Sequence, residues 1–376
     1  MNSTAQIKLK AEKPLIVWQA HEGNLSGANM AMLEYIDALQ LTYRSHVILP
    51  HEGGMCKALE ERAVPVSIIP QYGWAGRIPF TAFGKWMKKN IRTLIAIRAV
   101  KQLLMETGAA LVCTNTLVPF VAAKAAYKLC LPHVWCIHEY GEEDFGFSIG
   151  NGNPKWAYKK MQQWSRLVVA NSKSIAKKFQ QLMPAATVAT VYQPVSWKET
   201  ASIPALKAER FLMFGQIVAS KGHKEVLQAM AKNKQQNKQL YTLHIKGPCE
   251  NKVYLNELQY FVTQHGLEPY VEIEAGYFTK EEIIPLYDVL IVASNAEAFG
   301  RVIVEANKAG LYALVRNSGG APELINETNG LLYSNEDELS DTLCGARSFP
   351  DKTIKLSYNE SIEIQKLNAL LYNACR

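Results

Sequence analysis

The chain has 376 residues, 48% of them hydrophobic and 20% charged, with a formal net charge of +7 and seven cysteines. That length exceeds one ordinary core and predicts two domains of roughly 150 to 200 residues each. No run approaches the roughly 20 apolar residues of a membrane helix, and cysteines at 56, 113, 130, 136, 249, 344 and 375 form no CxxC pair. A disulfide framework or a zinc site is therefore not expected, and reduced cytoplasmic thiols are the simpler account.

At the N-terminus the apolar run 15–18 is far too short for the hydrophobic core of a signal peptide, so neither export nor a transmembrane anchor is expected. Short apolar or β-rich segments follow at 15–20, 45–50, 66–70, 110–114, 133–137 and 167–171, separated by helical patterns such as 28–39, 91–104 and 118–129. Alternation of this kind predicts a parallel sheet with helices on both faces, a doubly wound α/β domain. Residues 192–205 carry two prolines, Pro194 and Pro204, without periodicity and read as an interdomain linker, which places the boundary near Pro194. A second alternating series occupies 211–214, 241–246, 271–274, 289–293 and 312–316, and 359–374 has the spacing of a terminal helix. The expected division is an N-terminal domain 1–193, a C-terminal domain 194–355 and a helix in 356–376.

Between Arg62 and Met105 there is no Asp or Glu, while Arg77, Lys85, Lys88, Lys89, Arg92, Arg98 and Lys101 gather beside Trp74, Phe80, Phe83 and Trp86. Basic residues interleaved with aromatics suit an anionic membrane surface through residues 77–101, or a lipid-diphosphate acceptor. An ordinary helix with one solvated basic face accounts for the same residues equally well. No RNP, helix-turn-helix or zinc-finger pattern accompanies the patch, so nucleic acid is not the expected partner.

The most informative stretch is NAEAFGRVIVEANKA, residues 295–309, in which Glu297 falls in a loop after an apolar strand and Glu305 inside the following helix. Acceptor-only carboxylates suit hydroxyl-rich ligands such as ribose and hexose. The turn through Phe299 and Gly300 leaves backbone N–H groups at a helix start, where a diphosphate is favoured. Upstream, Phe214-Gly215-Gln216 and Ala219-Ser220-Lys221-Gly222 lie directly after the first strand of the second domain. A lysine at such a junction faces a bound diphosphate and neutralises charge developing on a leaving group.

In register, Glu297, Phe299, Gly300, Glu305, Ala306, Gly310, Gly319, Gly320, Glu323 and Gly330 resemble the signature of the retaining glycosyltransferases of family 4. The resemblance implies the GT-B architecture of two facing Rossmann-like domains, with the last helix crossing back to the first. It also implies a metal-independent hexosyltransferase whose donor is a nucleotide-diphosphate sugar, UDP-linked foremost. Glu297 would hold the donor sugar hydroxyls, Glu305 the ribose, and Lys221, Gln216 and Gly215 would meet the diphosphate with the amides of Phe299 and Gly300. Family members usually carry Arg where this chain has Gln216, which removes one cation from that site. His138, at the end of the strand 133–137, looks like the family's strand-end histidine beside the donor sugar and need not act as a base. Gly27, in the loop HEGNLSGA, resembles the position that brings backbone amides to diphosphate and acceptor. Gly276 and Tyr277 fall where the family shapes its nucleotide pocket, and Tyr277 would stack on a base or simply pack.

The long segment 141–152, acidic and then glycine-rich, reads as a lip of the cleft in which Glu142, Glu143 and Asp144 are available to acceptor hydroxyls. The acceptor implied is a glycan or lipid-linked saccharide of bacterial surface polysaccharide (O-antigen or capsule), reached from the cytoplasm, with peripheral attachment at the inner face of the membrane. No cofactor or metal is implied, and no DxD-type motif stands beside a strand end. A nucleotide-sugar epimerase of the same architecture, a phosphorylase, and a non-catalytic donor-binding subunit of a polysaccharide assembly complex are the rival readings.

Overall fold

The computed structural model describes residues 12–76, 83–197, 209–349 and 353–376, leaving aside the side chains of residues 83–86. The expected linker beyond residue 197, together with Arg77 and Phe80 of the basic segment, lies outside the described residues.

The N-terminal sheet is built from β1 (Leu15–Gln19), β2 (Arg44–Leu49), β3 (Val66–Ile68), β4 (Leu111–Asn115), β5 (His133–Ile137), β6 (Leu167–Ala170) and β7 (Val188–Thr190). Its strand order is β3-β2-β1-β4-β5-β6-β7, with every pairing parallel. The C-terminal sheet contains β8 (Arg210–Phe214), β9 (Thr242–Gly247), β10 (Val271–Ala275), β11 (Val289–Val292), β12 (Tyr312–Arg316) and β13 (Gly330–Tyr333). Here the order is β10-β9-β8-β11-β12-β13, again all parallel. Both sheets reverse their winding at the first strand, between β1 and β4 and between β8 and β11. Ligands of open α/β sheets bind at such points, beyond the carboxyl ends of the strands.

Parallel strands covered on both faces read as continuous apolar runs, because each side chain meets a helix whichever way it points. In β1, Ile16 and Trp18 join one core with Met32, Leu33 and Ile36 of the helix Gly27–Leu39, while Leu15 and Val17 join another with Ala96, Ile97 and Val100 of the helix Phe83–Thr107. β11 is divided the same way, Val289 and Ile291 against Leu290 and Val292. The last helix, Glu360–Cys375, places Leu367, Leu371 and Ala374 in the N-terminal core that contains Ile16 and Trp18, so the chain finishes on the domain where it began. Each leucine buried there contributes roughly 2 kcal/mol.

The two domains are tied by carboxylates. Glu34, on the helix Gly27–Leu39, accepts two hydrogen bonds from the Arg301 guanidinium at 2.6 and 2.9 Å and one from the Ser196 amide at 2.7 Å. Glu323, in the C-terminal turn Ala321–Leu324, accepts the Lys173 and Ser174 amides at 2.8 Å each, capping the N-terminal helix Lys173–Leu182, and also the Tyr192 hydroxyl at 2.8 Å. Gly320 stands between them: a Cβ there would lie 2.1 Å from the Ala298 carbonyl oxygen and 2.6 Å from the Ser172 hydroxyl oxygen across the interface. The proline-rich segment is held rather than slack. Glu363 takes the Tyr192 amide at 2.9 Å, Glu360 takes the Val195 amide at 2.8 Å, and the Tyr358 hydroxyl donates to the Gln193 carbonyl at 2.7 Å.

One surface expectation is corrected by the packing. Trp74 is not part of a membrane-facing aromatic patch. It is fully buried, stacked 5.8 Å from Trp135 and 4.7 Å from Phe120, with its indole N–H donating to the Leu117 carbonyl at 2.7 Å. An indole buried with its single donor satisfied belongs to a core.

Removing Glu34 leaves a buried guanidinium without its counter-ion, which typically costs about 3–5 kcal/mol. Glu34→Ala is expected to lower the thermal midpoint by several degrees and to raise the radius of gyration in small-angle scattering. Unchanged values of both would show that the pair does not hold the domains together.

Candidate functional site

The carboxyl ends of both sheets face one cavity of about 580 Å³. From the N-terminal domain it receives the loop after β1, with Gly27, and the residues following β4, β5 and β6, including His138 and Asn171. From the C-terminal domain come Gly215, Gln216 and Lys221 after β8, and Ala293, Ser294 and Glu297 through Val302 after β11. Most of the wall is therefore a strand end or the turn that follows one.

Glu297 is fixed through its backbone. Its carbonyl accepts the Gly320 amide at 2.8 Å, and Gly319, at φ 72°, lies so close that a Cβ would meet the same carbonyl oxygen at 2.5 Å. The double glycine is thus required twice, once to support Glu297 and once to admit Ser172 of the other domain. The Glu297 carboxylate accepts from Lys221 Nζ at 2.7 Å and from the Ser294 hydroxyl at 3.1 Å. Lys221 is presented by a 3-10 turn, Ala219–Lys221, that ends at Gly222 (φ 74°), where a Cβ would meet the Ala293 carbonyl oxygen at 2.2 Å. Among the described residues the amides of Phe299 and Gly300 have no hydrogen-bond partner, at the start of the helix Arg301–Lys308. The Phe299 ring itself is turned into the protein, stacked 6.1 Å from Tyr192, so the backbone there faces the cavity while the side chain serves the core.

His138 is half-buried, with both ring nitrogens engaged. Nε2 stands 2.7 Å from Asn115 Oδ1, an acceptor, and Nδ1 stands 2.5 Å from the Gln193 amide nitrogen, a donor. That pair of partners selects the neutral tautomer with its proton on Nε2. Burial, reinforced by the positive charge of Arg301 and by His21, pushes the imidazole down to about 3. Beside it, burial lifts the Glu139 carboxyl to about 8 against the opposing pull of the Leu117 and His138 amides, which it accepts.

The site residues expected from sequence fall into two groups. Glu297, Lys221, His138, Gly215, Gln216, Phe299, Gly300 and Gly27 all line the cavity, whereas Glu305, Gly276 and Tyr277 do not. Glu305 is engaged by Lys280 Nζ at 2.5 Å and lies 4.0 Å from Arg301. Gly276 donates its amide to the Gly247 carbonyl at 2.9 Å, at the ends of β9 and β10. Tyr277 is 93% exposed, which excludes the reading that it packs in this state. Two of the three acids expected to meet an acceptor are committed elsewhere: Asp144 accepts the Tyr140 and Gly141 amides at 2.7 Å each, and Glu143 pairs with Lys178. Arg301 went unrecognised in the sequence. It is a second cation on the cavity wall, largely neutralised by Glu34, and its only signal was its place directly after Phe299-Gly300.

Two facing parallel sheets with a cleft at their carboxyl ends define the GT-B architecture. Residues 26–196 match the model of glycosyltransferase family 4 and residues 197–344 that of the glycosyl transferases group 1. Between them these matches take in residues 26–344, and the chain belongs to this glycosyltransferase family. An uncharacterized glycosyltransferase of Methanocaldococcus jannaschii is 27% identical over 242 residues, 58% of this chain. The match spans only 60% of that relative's length. Among solved structures, Anabaena HepE in complex with UDP and glucose superposes with a TM-score of 0.72 at 22% identity, covering 96% of this chain and 98% of that one. The lipopolysaccharide outer core galactosyltransferase WaaB, in its apo form, gives 0.70 at 17% identity over 96% and 99%. At these identities the likeness is one of fold.

Because both nitrogens of His138 are held by side-chain amides, its ring is expected to stay neutral from pH 5 to pH 9. Imidazole NMR shifts, assigned by comparison with His138→Gln, check this. A His138 resonance titrating near 6.5 would contradict it.

Proposed function

We propose that the protein is a retaining hexosyltransferase that moves a hexose from a nucleotide-diphosphate sugar, UDP-linked foremost, to a hydroxyl of a glycan or lipid-linked saccharide. The pathway proposed is bacterial surface polysaccharide synthesis. The observation that carries this reading is the Lys221–Glu297 pair, 2.7 Å apart, on the C-terminal wall of a cavity whose opposite wall carries His138. Its support from relatives is that HepE, of the same fold, binds UDP and glucose and that WaaB is a galactosyltransferase.

In the reaction so proposed, the bond from the sugar's anomeric carbon to the diphosphate oxygen breaks, and the acceptor oxygen bonds to that carbon from the same face. The acceptor proton passes to the departing diphosphate. Lys221 and the unpartnered amides of Phe299 and Gly300 stabilise charge growing on the diphosphate, with Gln216 donating a neutral hydrogen bond where the family commonly has a cation. Glu297 accepts from donor sugar hydroxyls, and Lys221 must turn part of its charge from Glu297 towards the phosphates on binding. Glu305 holds the ribose after exchanging its contact with Lys280, and Tyr277 swings onto the base, beside Gly276. His138, neutral, orients the sugar once Asn115 or Gln193 yields one of its ring nitrogens. No metal or other cofactor is required in this scheme, since the compensating charge comes from the chain.

Turnover is measured as nucleotide release from UDP-glucose, UDP-galactose and UDP-N-acetylglucosamine in EDTA, with lipid-linked and free saccharides as acceptors. Lys221→Ala is expected to lower kcat by roughly two to three orders of magnitude, the usual consequence of losing one charge-stabilising group. Turnover equal to wild type in that variant, or turnover abolished by EDTA, would sink the corresponding part of the scheme. Interconversion of the donor sugars without an acceptor would identify an epimerase instead.

The N-terminal domain is proposed to rest on the inner face of the cytoplasmic membrane. The helix Phe83–Thr107 buries Ala96, Ile97, Val100 and Leu104 and turns Met87, Ile91, Leu94 and Ile95 to solvent at helical spacing, with Lys88, Arg92 and Arg98 exposed among them. An apolar stripe flanked only by cations suits an anionic surface. Among the described residues no helix is long and apolar enough to cross a membrane. Flotation with phosphatidylglycerol vesicles at low salt is expected for the wild-type protein and should be lost in Ile91→Asp/Ile95→Asp. Equal flotation of both proteins, or none of the wild type, would contradict docking through this face.

A further inference from the structure

The turn Glu142–Phe145 and the segment after it form the lip of the cavity, and the lip is stapled at its root. Asp144 accepts the Tyr140 and Gly141 amides, Glu143 pairs with Lys178, and Gly146, in the left-handed region at φ 67°, closes the turn. What this anchored turn presents is aromatic. Phe145 is 69% exposed and lies nearly parallel to Phe147, with ring centroids 6.2 Å apart and planes inclined by 23°, and both rings line the cavity. Leaving most of a phenyl ring in water forgoes roughly 1–2 kcal/mol of burial, which a bound apolar face would recover.

The same N-terminal wall holds polar atoms that lack partners among the described residues: Asn171 Oδ1, Gln193 Oε1, Ser26 Oγ and His21 Nδ1. Asn171 and Gln193 are each only 2% exposed, and their free atoms are oxygens that can only accept. Such atoms cost about 1–3 kcal/mol each when left unmatched. An alkyl chain has nothing to donate to them, and neither does a phosphate dianion. A pyranose does: it has hydroxyl donors around its edge and an apolar C–H face.

We propose that Phe145 and Phe147 form a stacking platform for a pyranose ring of the acceptor saccharide, whose hydroxyls meet the unpaired oxygens of Asn171 and Gln193 as those buried amides turn toward the cavity. The assignment to acceptor rather than donor rests on the transferase reading given above, which puts the donor's diphosphate on the C-terminal wall at Lys221 and Gln216. The platform lies on the N-terminal wall facing it. Aromatic faces attract carbohydrate C–H edges without demanding one sugar, so these rings set affinity, and the buried oxygens set which hydroxyl pattern is accepted.

The experiment is saturation-transfer NMR on the full chain with methyl glucoside, galactoside, mannoside and N-acetylglucosaminide as probes, with and without UDP, together with octyl glucoside below its micellar concentration. At least one methyl pyranoside is expected to be saturated at its ring protons. That signal should fall at least fivefold in Phe145→Ala and in Phe147→Ala and be retained in Phe145→Tyr. The thermal shift produced by UDP should be the same in all four proteins, since the platform does not touch the nucleotide. Ring-proton signals that survive both alanine substitutions, or no pyranoside signal in the wild type, would overturn the proposal. Octyl glucoside saturated along its chain alone would reassign the rings to a lipid tail and overturn it too. Pyranoside binding through Phe145 in a protein that takes no nucleotide would sink the transferase reading and leave the carbohydrate platform standing.

Discussion

A buried ion pair across the domain interface, Glu34 with Arg301, is the contact on which the rest of the arrangement depends. Each group alone would be costly to remove from water, and together they repay that cost only because their geometry is bidentate and the Ser196 amide uses further capacity on Glu34. The pair sets the distance between the helix Gly27–Leu39, which follows β1, and the helix Arg301–Lys308, which follows β11. Those two helices begin at the two switch points, so their separation fixes the width of the cavity. Glu323 does the same at a second place by capping the helix Lys173–Leu182 from the opposite domain. A carboxylate at a helix start gains from both the orphan amides and the helix dipole.

Charge in and around the cavity is nearly self-cancelling. Lys221 faces Glu297, Arg301 faces Glu34, Lys280 faces Glu305, and His138 is held neutral. In the proposed reaction an anionic ligand enters by exchange, borrowing Lys221 from Glu297 while Glu297 turns to hydroxyls. A ligand that is both anionic and hydroxyl-rich satisfies both ends of that exchange at once, which is the physical case for a sugar diphosphate. Gln216 fits the same economy, for it adds a donor without adding a charge that would need a partner.

Much of this was legible in the sequence because the signals were local. The run through Glu297, Phe299, Gly300 and Glu305 and the double glycine at 319–320 mark a strand end, a tight turn and a helix, and strand limits read from apolar runs agree with the structure to within a residue or two. The edge strands β7 and β13 and the helix Lys173–Leu182 escaped notice, since short edge strands alternate too briefly to show a period. Long-range pairing was illegible in principle. Nothing near Glu34 announces Arg301, 267 residues away, and nothing near Glu323 announces the amides of Lys173 and Ser174. Composition misled where burial decides the role: Trp74 sits in a basic stretch yet is core, and the acids at 143 and 144 anchor a lip whose exposed side chain is the neighbouring Phe145.

The most direct test of the account is thermal stabilisation of the purified protein by UDP, GDP, dTDP and ADP in EDTA, because a ligand that binds only the native state raises the melting temperature. The account predicts a clear shift with one nucleotide, UDP foremost, that is diminished in Lys221→Ala. No shift with any of the four would contradict a nucleotide-diphosphate site and bring forward a non-catalytic role in a polysaccharide assembly.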